Sequence, residues 1–133
     1  MTSKVTYLGN LRTENLHLKS GNTYNTDAPT DNNGKGEAFS PTDTVATGLA
    51  NCMLTVMGIK ARDLGVEMSG TTAEVTKIMA FDPRRVAEVI VEFNFPDKGF
   101  SEKDKEIVES VAGVSPVPLS LHPDLIQTIR FNW

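Results

Sequence analysis

The sequence predicts an α+β fold, with elements in the order β-β-β-α-β-β-α-β around a long buried central helix. Three observations carry this reading. The first 27 positions hold short β-type runs punctuated by turn residues, an apolar stretch of helical length follows Ser40, and a Val/Ile/Phe-rich hairpin pattern follows Val66. At 133 residues the chain is expected to form one domain, 1–133.

The opening runs, Val5 to Leu11, Glu14 to Lys19 and Asn22 to Asp27, are separated by Gly9-Asn10 and Ser20-Gly21, which favour tight turns and so predict a three-stranded meander. A polar loop from Asp27 to Gly36 follows. Its Gly34-Lys35-Gly36 element lacks the spacing of a phosphate-binding loop, which needs four residues between glycines and then Lys and Ser/Thr. An ordinary surface loop is expected there.

The central helix has a start and a stop written into it. Ser40 is placed to cap, Pro41 to occupy the first helical position, Asp43 to complete a capping box, and Gly65 to terminate. Its roughly 24 residues would span about 36 Å. Val45, Leu49, Cys52, Val56 and Ile59 make one apolar stripe, and Ala46, Ala50, Met53, Met57, Ala61 and Leu64 another. A surface that wide predicts burial on most sides, against a sheet and a second subunit together.

A long β-hairpin is expected next, Val66 to Met79 and Val86 to Phe95 around the turn Phe81 to Arg85. Ser101, with Asp104 three residues on, starts a second helix that turns Ile107, Val108 and Val111 inward and leaves Glu102, Lys103, Lys105, Glu106 and Glu109 in solvent. Ser115-Pro116 is a further helix-start signature. His122-Pro123-Asp124 turns the chain into a final strand through Ile129 and Phe131 to Trp133.

Composition excludes several function classes. Thirteen Lys and Arg against seventeen Asp and Glu give a net charge of -4 with no basic run, which argues against a nucleic-acid partner. The N-terminal residues carry no apolar signal core, and Asn51, Thr55 and Gly58 interrupt the longest apolar stretch, so no membrane partner is expected. One cysteine precludes an intrachain disulfide and fits a reducing, cytoplasmic setting. One Cys and two His fall short of a zinc signature, and Met53, Met57 and Met68 read as core filler, so neither metal nor cofactor is expected.

Cys52, the lone cysteine, carries the functional question. Mid-helix, it gains little from the helix dipole, so activation has to come from a neighbouring cation; otherwise it is a small core hydrophobe. Arg12 is the candidate cation, because a guanidinium stays charged and can hold both a thiolate and an incoming oxyanion. Without such a role Arg12 is a solvated turn residue. Ser120, His122 and Asp124 are too close in sequence to assemble a triad, and His17 reads as a surface residue of a strand.

The string Ser40-Pro41-Thr42-Asp43, the small-residue helix with Cys52, and the downstream Ser-Pro-Val…Ser-Leu-His-Pro run resemble the OsmC family of osmotically inducible and organic hydroperoxide resistance proteins. Gly9-Asn10-Leu11-Arg12, Gly34-Lys35-Gly36-Glu37 and the last strand align in order, so the resemblance spans essentially the whole chain. It implies an intertwined homodimer with the central helices at its core. It also implies that Cys52 attacks a hydroperoxide and becomes a sulfenic acid, with Arg12 as the activating cation and an acid from the start of the central helix assisting.

Two positions depart from the family pattern. Ser115-Pro116-Val117 stands where the family has Cys-Pro-Val, so the resolving cysteine is missing and a hydroxyl cannot form the disulfide. The assisting glutamate lies ten residues before the cysteine in the peroxide-reducing branches; Thr42 occupies that place, and Asp43 is the nearest acid. Nine or ten helical residues place Asp43 or Thr42 roughly 13 to 15 Å from Cys52 along the axis. An acid near the thiol would therefore have to come from elsewhere, such as the partner subunit.

The resulting expectation is a cytoplasmic homodimer that reduces organic hydroperoxides by a one-cysteine mechanism. Cys52, Arg12 and Asp43 form its catalytic set, Phe39, Leu49, Met53 and Met57 wall its pocket, and an external thiol is its reductant. The alternative is a dimer of the same fold that binds a small apolar ligand or a protein, with Cys52 kept as packing. Thioester or disulfide exchange at Cys52 is a third reading.

Overall fold

Each unit of the structure is built on a three-stranded sheet. The computed structural model describes all residues Met1–Trp133, which divide into two compact units, Met1–Val45 and Ala46–Trp133. In the first, β1 (Ser3–Gly9), β2 (Arg12–His17) and β3 (Thr23–Asp27) form the antiparallel meander, in the order β1-β2-β3. The first turn lies one residue later than expected. Gly9 pairs with Arg12, leaving Asn10 and Leu11 as the two-residue loop, with φ of 53° and 63°. Positive φ at both positions gives the twist that a tight hairpin needs, but Leu11 is a residue type that adopts it at a cost. Strand β1 therefore ends at Gly9 and does not extend to Leu11.

The loop after β3 contains one 3₁₀ turn, Thr30–Asn32, and folds back on itself. A Cβ at Gly34 would lie 1.7 Å from the Ala28 carbonyl oxygen, so only glycine fits there. The Gly34-Lys35-Gly36 element serves this close approach: the Gly36 amide donates to Ala28 O at 3.2 Å.

Helix α1 (Pro41–Asp63) has the predicted ends. The Asp43 amide donates to Ser40 Oγ (3.1 Å) while the Asp43 carboxylate accepts from the Ser40 amide (2.9 Å), a reciprocal capping box. At the other end Gly65, with φ of 74°, lets its amide reach Arg62 O and the Val66 amide reach Ala61 O. These two bonds make a Schellman motif and satisfy carbonyls that the helix leaves unpaired. They also explain why the next strand starts late. Residues 66–71 form the exit turn, and β4 is Thr72–Ala80 rather than a strand from Val66.

Strand β4 pairs antiparallel with β5 (Arg85–Asn94), and β6 (Ile126–Asn132) pairs parallel with β5, in the order β4-β5-β6. A parallel neighbour requires a crossover. It is made by α2 (Glu102–Ala112) and by α3 (Pro116–Ser120), a short helix beyond the predicted order. Arg85 closes the β4–β5 turn by donating to the Phe81 and Pro83 carbonyls.

The core joins Leu49, Met53 and Met57 of α1, Val89, Val91 and Phe93 of β5, and Val108 and Ala112 of α2. Alternation along β5 turns Val89, Val91 and Phe93 inward and leaves Glu88, Ile90 and Glu92 on the other face. α1 is long and apolar enough to cross a membrane by length and composition alone, a test that a core helix also passes. Within the single chain its burial is one-sided. Leu49 and the Ala46–Ala61 stripe are covered, whereas Val45 and Ile59 are exposed.

On α2 the expected solvated face is partly occupied. The Glu109 carboxylate accepts from Trp133 Nε1 at 2.6 Å, and Lys105 lies over the Trp133 ring. Trp133 stacks on Phe95, with ring centroids 3.7 Å apart. A charged residue can flank an indole in this way because the ring offers a donor at its edge and a negative face.

Candidate functional site

Cys52 lies midway along α1 and is half-buried. The Val117 amide donates to Cys52 Sγ at 3.5 Å. Val117 is the second residue of α3, where a backbone N–H has no intrahelical acceptor, so the sulfur satisfies a donor that the helix start leaves over. Ser115, in the place where the resemblance expects a cysteine, is buried and donates its hydroxyl to Ala112 O at 2.7 Å. Its oxygen serves the connection between α2 and α3.

Arg12 opens β2 directly opposite Asp27 of β3. That register brings the guanidinium onto the Asp27 carboxylate through two parallel bonds, Nε to Oδ1 at 2.7 Å and Nη2 to Oδ2 at 2.8 Å. Nη2 also reaches Glu37 Oε2 at 3.1 Å, and the Glu37 amide donates to Asp27 Oδ2. Asp27 is only 3% exposed. The hydrogen bond from Arg12 holds its carboxyl below the ordinary 3.8 despite the opposing effect of desolvation, and the carboxylates in turn raise the Arg12 pKa. A hollow of about 120 Å³ lies beside the guanidinium, lined by Leu8, Gly9, Asn10, Arg12 and Lys35.

Other predicted site residues have different occupations. Asp43 completes the cap of an unbroken α1 through its reciprocal bonds with Ser40. Leu49, Met53 and Met57 are at most 1% exposed and belong to the core rather than to the wall of an open pocket, whereas Phe39 is exposed. The reason is the face they share: with Ala46, Ala50 and Ala61 they form the stripe that meets β5 and α2 in the core. A cleft of about 560 Å³ at the C-terminal end of α1 is lined by Leu54, Gly58, Arg62 and residues 65–71, and Cys52 is not on its wall. Ser120 Oγ donates to Pro116 O, and His122 Nδ1 accepts from the Asp124 amide, so these residues build turns and not a triad. His17 is exposed, its Nδ1 within 2.6 Å of Ser20 Oγ. No group of three or more His, Cys, Asp or Glu side chains is arranged to hold a metal ion.

Asp27, Glu37 and Val117 do not stand out in the sequence as site residues. Asp27 is legible in part, as the last residue of a predicted strand, whereas Arg12 reads as a turn residue between two strands. Val117 is not, because a backbone amide leaves no mark in residue type.

A model of the OsmC-like protein family matches residues 34–128. No curated protein matches the chain. Among solved structures, one from Psychrobacter arcticus, named for an osmotic stress induced and detoxification response, is 55% identical, covers 98% of this chain and 95% of its own, and superposes with a TM-score of 0.94. An OsmC-like protein from Mycoplasma pneumoniae shares 16% identity over 97% of this chain and 93% of its own, with a TM-score of 0.79. An organic hydroperoxide resistance protein from Legionella pneumophila shares 17% over 98% and 95%, with a TM-score of 0.71. The last two are alike in fold.

Proposed function

From the premise that this chain belongs to the OsmC-like family, we propose that it reduces organic hydroperoxides in the cytoplasm by a one-cysteine mechanism centred on Cys52. The observation that carries the reading is the sulfur itself: Cys52 is half-buried, and its Sγ faces the Val117 N–H at 3.5 Å. In the reaction the Cys52 thiolate attacks the terminal peroxide oxygen and the O–O bond breaks. The alkoxide leaves and takes up a proton as the alcohol, and the sulfur is left as a sulfenic acid. An external thiol displaces the hydroxyl as water to give a mixed disulfide, and a second thiol releases Cys52 and the oxidised reductant.

A homodimer belongs to this proposal. Val5, Tyr7 and Tyr24 of the meander and Val45 and Ile59 of α1 are exposed apolar side chains, and a second copy of the chain is the partner offered for them. Arg12 enters the mechanism only as a cation shared with Asp27 and Glu37, two carboxylates against one guanidinium. That balance favours the second reading, in which the dimer binds a small apolar ligand and Cys52 packs without reacting.

Exposure of the protein to cumene hydroperoxide in the presence of dimedone separates the two. The peroxidase reading expects one dimedone adduct on Cys52, together with peroxide consumption that dithiothreitol sustains and that Cys52→Ser abolishes. Absence of any adduct, with consumption unchanged in Cys52→Ser, would leave the binding reading.

A further inference from the structure

We infer that the oxidised Cys52 is resolved by the main chain: its sulfenic acid condenses with the Val117 amide nitrogen to form a sulfur–nitrogen bond. The inference rests on the peroxide-reducing reading and concerns the fate of the sulfur once the O–O bond has broken. A sulfenic acid in a protein has two internal ways to condense, with a thiol to a disulfide or with a backbone nitrogen to a sulfenamide. The first is closed here, since Cys52 is the only cysteine and the buried Ser115 carries an oxygen already bonded to Ala112 O. The second has its partner in place, because the Val117 nitrogen faces Sγ at 3.5 Å across a hydrogen bond.

The position of Val117 makes the substitution tolerable. As the second residue of α3 its N–H has no intrahelical role, so replacing the hydrogen with sulfur breaks only the bond that Sγ itself accepts. An N-substituted residue in the first turn is also what proline supplies, and Pro116 and Pro118 already flank the position. The half-burial of Cys52 limits the water that competes for the intermediate.

The step balances without a further oxidant. The sulfenic S–OH bond breaks, the amide gives its proton to the departing hydroxyl, water leaves, and sulfur keeps its oxidation level in the new S–N bond. A thiol reductant then attacks the sulfur and the amide nitrogen recovers a proton. A mixed disulfide remains, which a second thiol reduces. The closed form has no free sulfenic acid for a second peroxide to carry to the irreversible sulfinic acid.

The test treats the full chain with one equivalent of cumene hydroperoxide, without a trap, and measures its mass under denaturing, non-reducing conditions. Closure removes two hydrogens, so the mass should fall by about 2 Da instead of rising by about 16 for the open sulfenic acid, and dithiothreitol should restore it. Tryptic digestion should link peptide 36–60 to peptide 106–130 of the same chain. Val117→Pro keeps a residue suited to the first helical turn but has no N–H, and it should convert the closed species into sulfenic and sulfinic acid. An open sulfenic acid or a sulfinic acid in the wild-type chain without the linked peptides overturns the inference while the peroxidase reading stands. No oxidation of Cys52 at all overturns both. A link between two chains, or a link that persists in Val117→Pro, also overturns it. The wild-type peptide map decides even if the variant fails to fold.

Discussion

Replacing Leu49 with alanine tests whether the apolar face of α1 is core or pocket wall. Leu49 has no exposed surface and packs in the cluster that includes Met53, Val89, Phe93 and Val108. Truncation removes buried methyl groups and leaves a cavity that its neighbours only partly fill, for a loss of about 3 kcal/mol. For a chain of 133 residues, with an unfolding entropy of about 2.1 cal/mol/K per residue, that loss lowers the melting temperature by about 10 °C. Phe39, at 56% exposure, provides the contrast: Phe39→Ala should cost under about 1 kcal/mol. Urea unfolding and calorimetry of both variants, at one protein concentration so that any association contributes equally, read the difference directly. Leu49→Ala costing less than about 1 kcal/mol, or no more than Phe39→Ala, would refute the assignment. A change in peroxide selectivity with stability intact would instead restore Leu49 to a pocket.

Leu11→Gly should stabilise the chain by about 1 kcal/mol in the same urea assay, because glycine adopts the φ of 63° without the clash that leucine bears; a loss of stability would show that the leucine side chain makes a compensating contact. Because the Asp27 carboxyl is lowered below its ordinary 3.8 by Arg12, its stabilisation is complete above that value and fades as the pH falls through the lower folded-state value. Acid titration of stability should therefore be steeper below pH 3.8 in the wild type than in Asp27→Asn, and identical profiles would refute the pairing. Ser115→Cys places a second thiol two residues before the amide that reaches Cys52 Sγ. It should form an intrachain disulfide on oxidation, read as the loss of both free thiols, and retention of both would show that the geometry for a disulfide is absent.

The sequence by itself determined the class of fold, the order of its major elements, both ends of α1 and the start of α2. Those features rest on local chemistry: a capping box at Ser40 and Asp43, another at Ser101 and Asp104, a positive φ that Gly65 supplies cheaply, and the period-2 alternation along β5. It also singled out Cys52 and Arg12 as the chemically interesting side chains. The tertiary structure alone decided what each of them touches. Arg12 meets Asp27 because strand register sets them opposite each other, and Cys52 meets Val117 because a crossover returns α3 to α1 across 65 positions of chain. Burial likewise cut across the two apolar stripes of α1, covering Leu49 of one and Met53 and Met57 of the other, since residue type shows which faces are apolar but not which of them a neighbour covers. Partners distant in sequence, and donors that belong to the backbone, are set by the path of the chain in space.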